Sequence, residues 1–182
     1  MSEANGTGPM NLGFLTVFAE GTAYLGGYLI TNSWGRPLEF RLSTAVQPNK
    51  VQQILYGATL PEYLCADLIG KTLMDKAGTP VQMLFTDSLL TLPIRKRLDI
   101  PVLAIIPQDD PQVAFLPTGQ LEKLQDARCS IPLLFDPRLD NAEAVRAALE
   151  RIDTTMDVSE PFTRIREAMG EARKMGVTSR AA

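Results

Sequence analysis

The chain is expected to fold as an α/β (α+β) protein. Its mixed sheet starts with a three-stranded antiparallel meander, is crossed by one buried helix, gains further strands, and is followed by a C-terminal helix pair. Three observations carry this expectation. Strand-like runs separated by turn residues fill Leu12 to Thr44. A nearly all-apolar helical stretch, Leu60 to Lys76, runs through the stop Gly78-Thr79-Pro80 into a short apolar strand, Val81 to Thr86. The chain then ends in two segments with 3.6-residue periodicity, Asn141 to Ile152 and Glu160 to Lys174.

The elements follow in order. Leu12 to Ala19 is apolar at Phe14, Leu15, Val17 and Phe18, and Tyr24 to Thr31 is a second apolar run. Between them Glu20-Gly21-Thr22-Ala23 reads as a turn. This break, Gly26-Gly27 and the absence of flanking basic residues argue against a membrane span over Met10 to Ile30. Asn32-Ser33-Trp34-Gly35 has hairpin composition. In Pro37 to Thr44, Leu38, Phe40 and Leu42 alternate with Glu39, Arg41 and Ser43, the pattern of a strand with one wet face, as at a sheet edge.

Gln47-Pro48-Asn49 ends the meander, and Lys50 to Tyr56 reads as a short helix. In the central helix Asp67, Lys71 and Asp75 form one narrow polar stripe, and the other faces are apolar enough to be buried. Thr59 is placed as its N-cap, with Pro61 in the first turn and Glu62 closing a capping box. A helix leading into a buried strand is half of a crossover unit. Pro93 to Leu98 reads as a short helix and Ile100 to Ile106 as another buried strand. Val113 to Leu116 reads as a short strand, Pro117-Thr118-Gly119 as a turn, Leu121 to Ala127 as a short helix, and Ile131 to Phe135 as an apolar strand.

The domain expectation is a disordered tail over 1–10, an α/β domain over 11–136, a helical pair over 137–176 and a frayed end over 177–182. A chain of 182 residues buries roughly 70% of its unfolded surface, so it needs neither disulfides nor metal to fold. Hydrophobic residues at 45% and charged residues at 21% are ordinary for a globular protein. A net charge of −3 excludes a generally basic nucleic-acid binder but leaves room for a local patch.

The chain has no histidine, and this removes the most chemistry. It excludes Ser-His-Asp and Cys-His catalysis, histidine general bases and histidine-ligated zinc or iron. Any chemistry falls to carboxylates, lysines, tyrosines, serines or a carboxylate-bound hard cation. Cys65 and Cys129 read as buried hydrophobes in a reducing compartment, and the chain is expected to be cytoplasmic.

Three antiparallel strands, a buried crossover helix and a strand ending in Thr86-Asp87-Ser88 resemble the ribonuclease H-like fold. The resemblance covers roughly residues 12–106. It implies one carboxylate on the first strand, one on the following helix and one at the end of the fourth strand. Together these would bind two magnesium ions that activate water for phosphodiester cleavage. The matching positions are Glu20 in Phe18-Ala19-Glu20-Gly21, Glu62 in Leu60-Pro61-Glu62-Tyr63 and Asp87 in Phe85-Thr86-Asp87-Ser88. Read locally, Glu20 is a turn residue and Glu62 a cap. Asp87 stands at the carboxyl end of a buried strand, where α/β sheets place functional groups.

Two functional expectations follow. The first is a non-enzymatic interaction or scaffold module without a cofactor. Its protein partner, or a second copy, would dock on the Phe162, Ile165 and Met169 face of the last helix. The second is a magnesium-dependent ribonuclease H-like nuclease that acts on nucleic acid through Glu20, Glu62 and Asp87 as catalytic and metal-binding residues. Neither involves a membrane.

Overall fold

In the computed structural model, residues 9–116 and 119–176 are described. Residues 1–8 of the tail expected over 1–10, most of the turn at 117–119 and the end at 177–182 lie outside them. The fold is a mixed seven-stranded sheet covered by helices.

The first three strands are β1 (Asn11–Glu20), β2 (Ala23–Asn32) and β3 (Pro37–Leu42), and they form the expected antiparallel meander. The helix α1 (Lys50–Tyr56) follows. The crossover helix, α2, covers residues 60–76 and leads into β4 (Met83–Thr86), which lies parallel to β1. The strand β5 (Val102–Ile105) is parallel to β4, and the hairpin β6 (Glu122–Asp126) and β7 (Cys129–Phe135) completes the sheet antiparallel to β5. The order is β3-β2-β1-β4-β5-β7-β6, so the alternating strand β3 does lie at an edge. The helices α3 (Ala142–Leu149) and α4 (Pro161–Lys174) end the chain.

Strand alternation sorts the core into two layers. On one face Leu12, Phe14, Met83, Phe85 and Leu103 pack with Val145 and Leu149 of α3 and with Phe162, Ile165 and Met169 of α4. Phe14 stacks on Phe85 at 5.2 Å between ring centroids, and Phe162 meets Phe14 edge-on at 5.8 Å. On the other face Leu15, Val17, Leu84, Val102 and Ala104 pack with Cys65, Ala66, Ile69 and Leu73 of α2. The docking face assigned to Phe162, Ile165 and Met169 is therefore corrected. These side chains are at most 4% exposed and are consumed by the chain's own core. An amphipathic stripe reads the same in sequence whether it covers its own sheet or a partner.

Gly26 and Gly27 make both helix contacts possible. A Cβ on Gly26 would come within 2.4 Å of Ile69 of α2, and one on Gly27 within 2.5 Å of Ile165 of α4. Adjacent residues of a strand face opposite sides, so this pair lets a helix approach from each side.

Four local expectations are corrected. The central helix is not α-helical throughout: an α turn, Leu60–Glu62, leads into a π-helical segment, Tyr63–Gly70, and an α segment, Lys71–Lys76. Thr59 does not cap it, because its hydroxyl donates to the Tyr56 carbonyl at 2.6 Å, and Glu62 closes no box. The capping box belongs to α1, where Asn49 and Gln52 exchange hydrogen bonds of 2.9 and 3.0 Å. Residues 121–127 hold the edge strand β6 rather than a helix. Only Leu124 of β6 is buried, and Asp126 accepts from the backbone and guanidinium of Arg128 at its hairpin turn. Pro111–Phe115 is a 3-10 turn rather than a strand, started by the Asp110 carboxylate accepting from Gln112 N–H at 2.8 Å.

Candidate functional site

The parallel pairing of β1 and β4 decides what stands beside Asp87. Leu12 faces Met83, Phe14 faces Phe85 and Leu15 faces Thr86, so one further step brings Thr16 level with Asp87. By alternation both point toward the layer of α4. Thr16 is 1% exposed, and the Asp87 side chain is 9% exposed. The loop beyond Asp87 is fixed by Gln112, whose side chain accepts from Leu89 N–H at 2.7 Å and donates to the Asp87 carbonyl at 3.0 Å.

Arg166 of α4 makes an ion pair with the Asp87 carboxylate. Two opposed effects act on that carboxyl. Burial pushes it up from its ordinary value, and the guanidinium of Arg166 and the hydroxyl of Thr16 pull it back; burial dominates, and the net shift is upward. The Thr16 hydroxyl lies near enough to favour the ionised form, yet it completes no hydrogen bond of ordinary geometry.

Glu20 lies farther along β1, on the same face. Four residues separate it from Thr16, about 13 Å of strand at ~3.3 Å per residue. Its exposed carboxylate is held by Arg173 of α4 through two hydrogen bonds of 2.6 and 2.5 Å. Between the two ion pairs lies a cleft of about 290 Å³, lined by Phe18, Glu20, Arg166, Met169, Gly170 and Arg173. Glu62 belongs to the helix on the opposite face of the sheet. It is exposed and lines a different, mostly apolar pocket of about 940 Å³ together with Leu89, Leu92, Arg95 and Lys96.

The structure thus places Glu20 on this cleft, ties Asp87 to it only through Arg166, and places Glu62 elsewhere. Among the described residues no group of three acidic, cysteine or histidine side chains is arranged to hold a metal ion. Magnesium is bound through oxygen ligands, and a two-ion site needs carboxylates shared between ions ~3.5–4 Å apart. The donors here are one buried carboxylate already paired with a guanidinium, one threonine hydroxyl, and a second carboxylate about 13 Å along the strand. These residues do not fit a two-magnesium centre.

Sequence reasoning missed Thr16, Arg166 and Arg173. A signal for the arginines exists: they lie seven residues apart on α4, on one stripe, each with half of its side chain exposed (52% and 45%). The run Arg95-Lys96-Arg97 serves the fold in part. Arg95 pairs with Asp140 and donates to the Leu98 and Leu139 carbonyls, and Arg97 pairs with Asp67. Burial pushes the Cys65 thiol up to about 12, so it is a core group and no nucleophile. Trp34 is 70% exposed, but its turn lies at the opposite end of the sheet from Asp87.

The fold resembles the ribonuclease H-like fold, and its strand-end carboxylate, Asp87, is covered by Arg166 of the last helix. Two solved structures similar to this chain are endonucleases V. One, from Ciona intestinalis, is in complex with a 23mer DNA containing an inosine followed by a ribo-adenosine. It has a TM-score of 0.50 at 8% identity, over 90% of this chain and 86% of that one. The other, from Bacillus subtilis, has a TM-score of 0.50 at 9% identity, over 91% and 82%. At identities this low the likeness shows a shared fold alone. No family model and no curated protein matches the chain. Among the described residues no helix is long and apolar enough to cross a membrane.

Proposed function

We propose that the chain binds nucleic acid at the end of β1 and β4, with Arg166 and Arg173 as its phosphate contacts. The observation that carries this reading is the pair of half-exposed guanidinium groups flanking one cleft on α4. A guanidinium fork matches phosphate oxygens as well as it matches the carboxylates it holds here. Asp87 and Glu20 keep both forks oriented when no nucleic acid is bound. The DNA complex of the Ciona intestinalis endonuclease V supports nucleic acid as the ligand class. The net charge of −3 confines attraction to this local cleft and makes the binding weak in the absence of shape recognition.

A second reading, magnesium-dependent cleavage with Asp87, Glu20 and Glu62, draws support from the endonuclease identity of the structural neighbours. It requires a rearrangement that brings the three carboxylates together. One experiment addresses both readings. A labelled duplex with a single inosine, and its undamaged counterpart, are mixed with the protein in magnesium or in EDTA. Native gels report binding and denaturing gels report cleavage. The first reading expects a shifted band in both buffers, lost in Arg166→Gln/Arg173→Gln, with intact strands. Magnesium-dependent cleavage abolished by Asp87→Asn would instead establish the second reading.

A further inference from the structure

We infer that the guanidinium of Arg166 holds the cation position beside Asp87, so the site is neutralised from within and takes no divalent ion. The inference deepens the phosphate-binding reading and rests on the same cleft.

Three observations converge. Asp87 is buried, and its carboxylate is covered by Arg166 of α4. A buried carboxylate demands a positive partner, and this one has it from its own chain. The position level with Asp87 on β1 is Thr16, whose hydroxyl adds no negative charge. The acid farther along β1 on this face, Glu20, is occupied through both oxygens by Arg173. A doubly charged ion entering beside Asp87 would meet a single carboxylate whose charge is already balanced by an adjacent, like-charged guanidinium. Affinity for hard cations follows the number of negative ligands supplied, and here that number is cancelled.

The placement of Arg166 depends on the sheet. Gly27 lets Ile165 seat directly on β2, which fixes the height and rotation of α4. The next residue, Arg166, is then delivered to the end of β4. The cation substitute is therefore built into the same close packing that holds the core, rather than carried on a loop.

The test is a manganese titration of the free, isotope-labelled protein, read as paramagnetic broadening of backbone amides. Nucleic acid is absent, so the result is independent of whether the phosphate-binding reading holds. Wild type is expected to show no saturable broadening around residues 16–20 and 86–89. Arg166→Glu replaces the cation by a second carboxylate on an exposed side chain, and circular dichroism checks that it folds. This variant is expected to gain saturable broadening there, with an affinity at least about tenfold above wild type, since ligand charge count tunes cation affinity over orders of magnitude. Adding Asp87→Asn to it should abolish the gain, and Arg166→Lys should behave as wild type. Saturable broadening in wild type that disappears in Asp87→Asn would overturn the inference. So would a folded Arg166→Glu variant with no gain.

Discussion

Removing either partner of the Asp87–Arg166 pair should change stability in opposite directions, because the two partners are buried to very different extents. The Asp87 side chain is 9% exposed and that of Arg166 is 52% exposed. Arg166→Gln leaves a buried carboxylate without a counter-charge. Breaking a fully buried pair costs ~3–5 kcal/mol, and solvent access to Arg166 reduces this to about 1–2 kcal/mol. For a chain of this size that is a fall in Tm of roughly 3–6 °C at pH 8. Asp87→Asn removes a desolvated charge and releases Arg166 to water, so Tm should rise by about 2 °C.

The pH dependence has a definite sign. The Asp87 carboxyl is raised above its ordinary 3.8 by burial, so the folded state binds its proton more tightly than the unfolded state does. Its stabilising contribution is fully present below 3.8 and is lost as pH rises through the folded value. Removing Arg166 raises that value further. The Tm deficit of Arg166→Gln against wild type should therefore shrink from pH 8 toward pH 4. Differential scanning calorimetry of the three proteins between pH 4 and pH 8 checks this. A deficit that does not vary with pH, or an Asp87→Asn variant less stable than wild type at pH 8, would refute the reasoning.

Other outcomes follow from the packing. Gly27→Ala drives a methyl group into Ile165 and should cost about 1–3 kcal/mol by denaturant unfolding, since the β-branched side chain cannot turn aside. Ile165→Ala removes fully buried volume between α4 and the sheet and should cost ~2–5 kcal/mol in the same assay. Cys65 should resist iodoacetamide in the native protein at pH 8 and react after unfolding, as followed by mass spectrometry. The Glu39 carboxylate accepts from Gly78 and Thr79 N–H and from Arg41, which holds it at about 2. Its support for the β3 edge is present above its ordinary 4.5 and is lost as pH falls through about 2. Carboxyl NMR titration of residue 39 checks that value.

Much of the architecture was legible because its signals are local. The alternation in β1 to β3, the Gly78-Thr79-Pro80 stop and the stripe Phe162, Ile165, Met169 each determine a short element without reference to the rest of the chain. The site was only half legible, because it depends on pairing across the chain. Asp87 was visible as an acid ending a buried strand. Which residue of β1 stands beside it depends on a parallel register between segments about 70 residues apart, and no local pattern encodes that register. Glu20 was matched to the first-strand carboxylate that the resemblance implies, and the residue of β1 level with Asp87 is Thr16. Residues 122–126 misled for a related reason: one buried Leu124 among polar residues suits an exposed helix turn as well as an edge strand. The π-helical turns of α2 escaped because a buried segment of only eight residues, apolar on most sides, looks alike at either pitch.

The most direct test of the account is the salt dependence of nucleic-acid affinity in EDTA, measured by fluorescence anisotropy on a duplex. Two phosphate contacts predict a slope of log K against log salt of about −1.8 for wild type, at ~0.9 per contact. Arg166→Gln and Arg173→Gln should each bring it to about −0.9, with affinity falling uniformly across sequences. A slope unchanged by either substitution, or binding that appears only when magnesium replaces EDTA, would contradict a metal-free, arginine-built phosphate site at the end of β1 and β4.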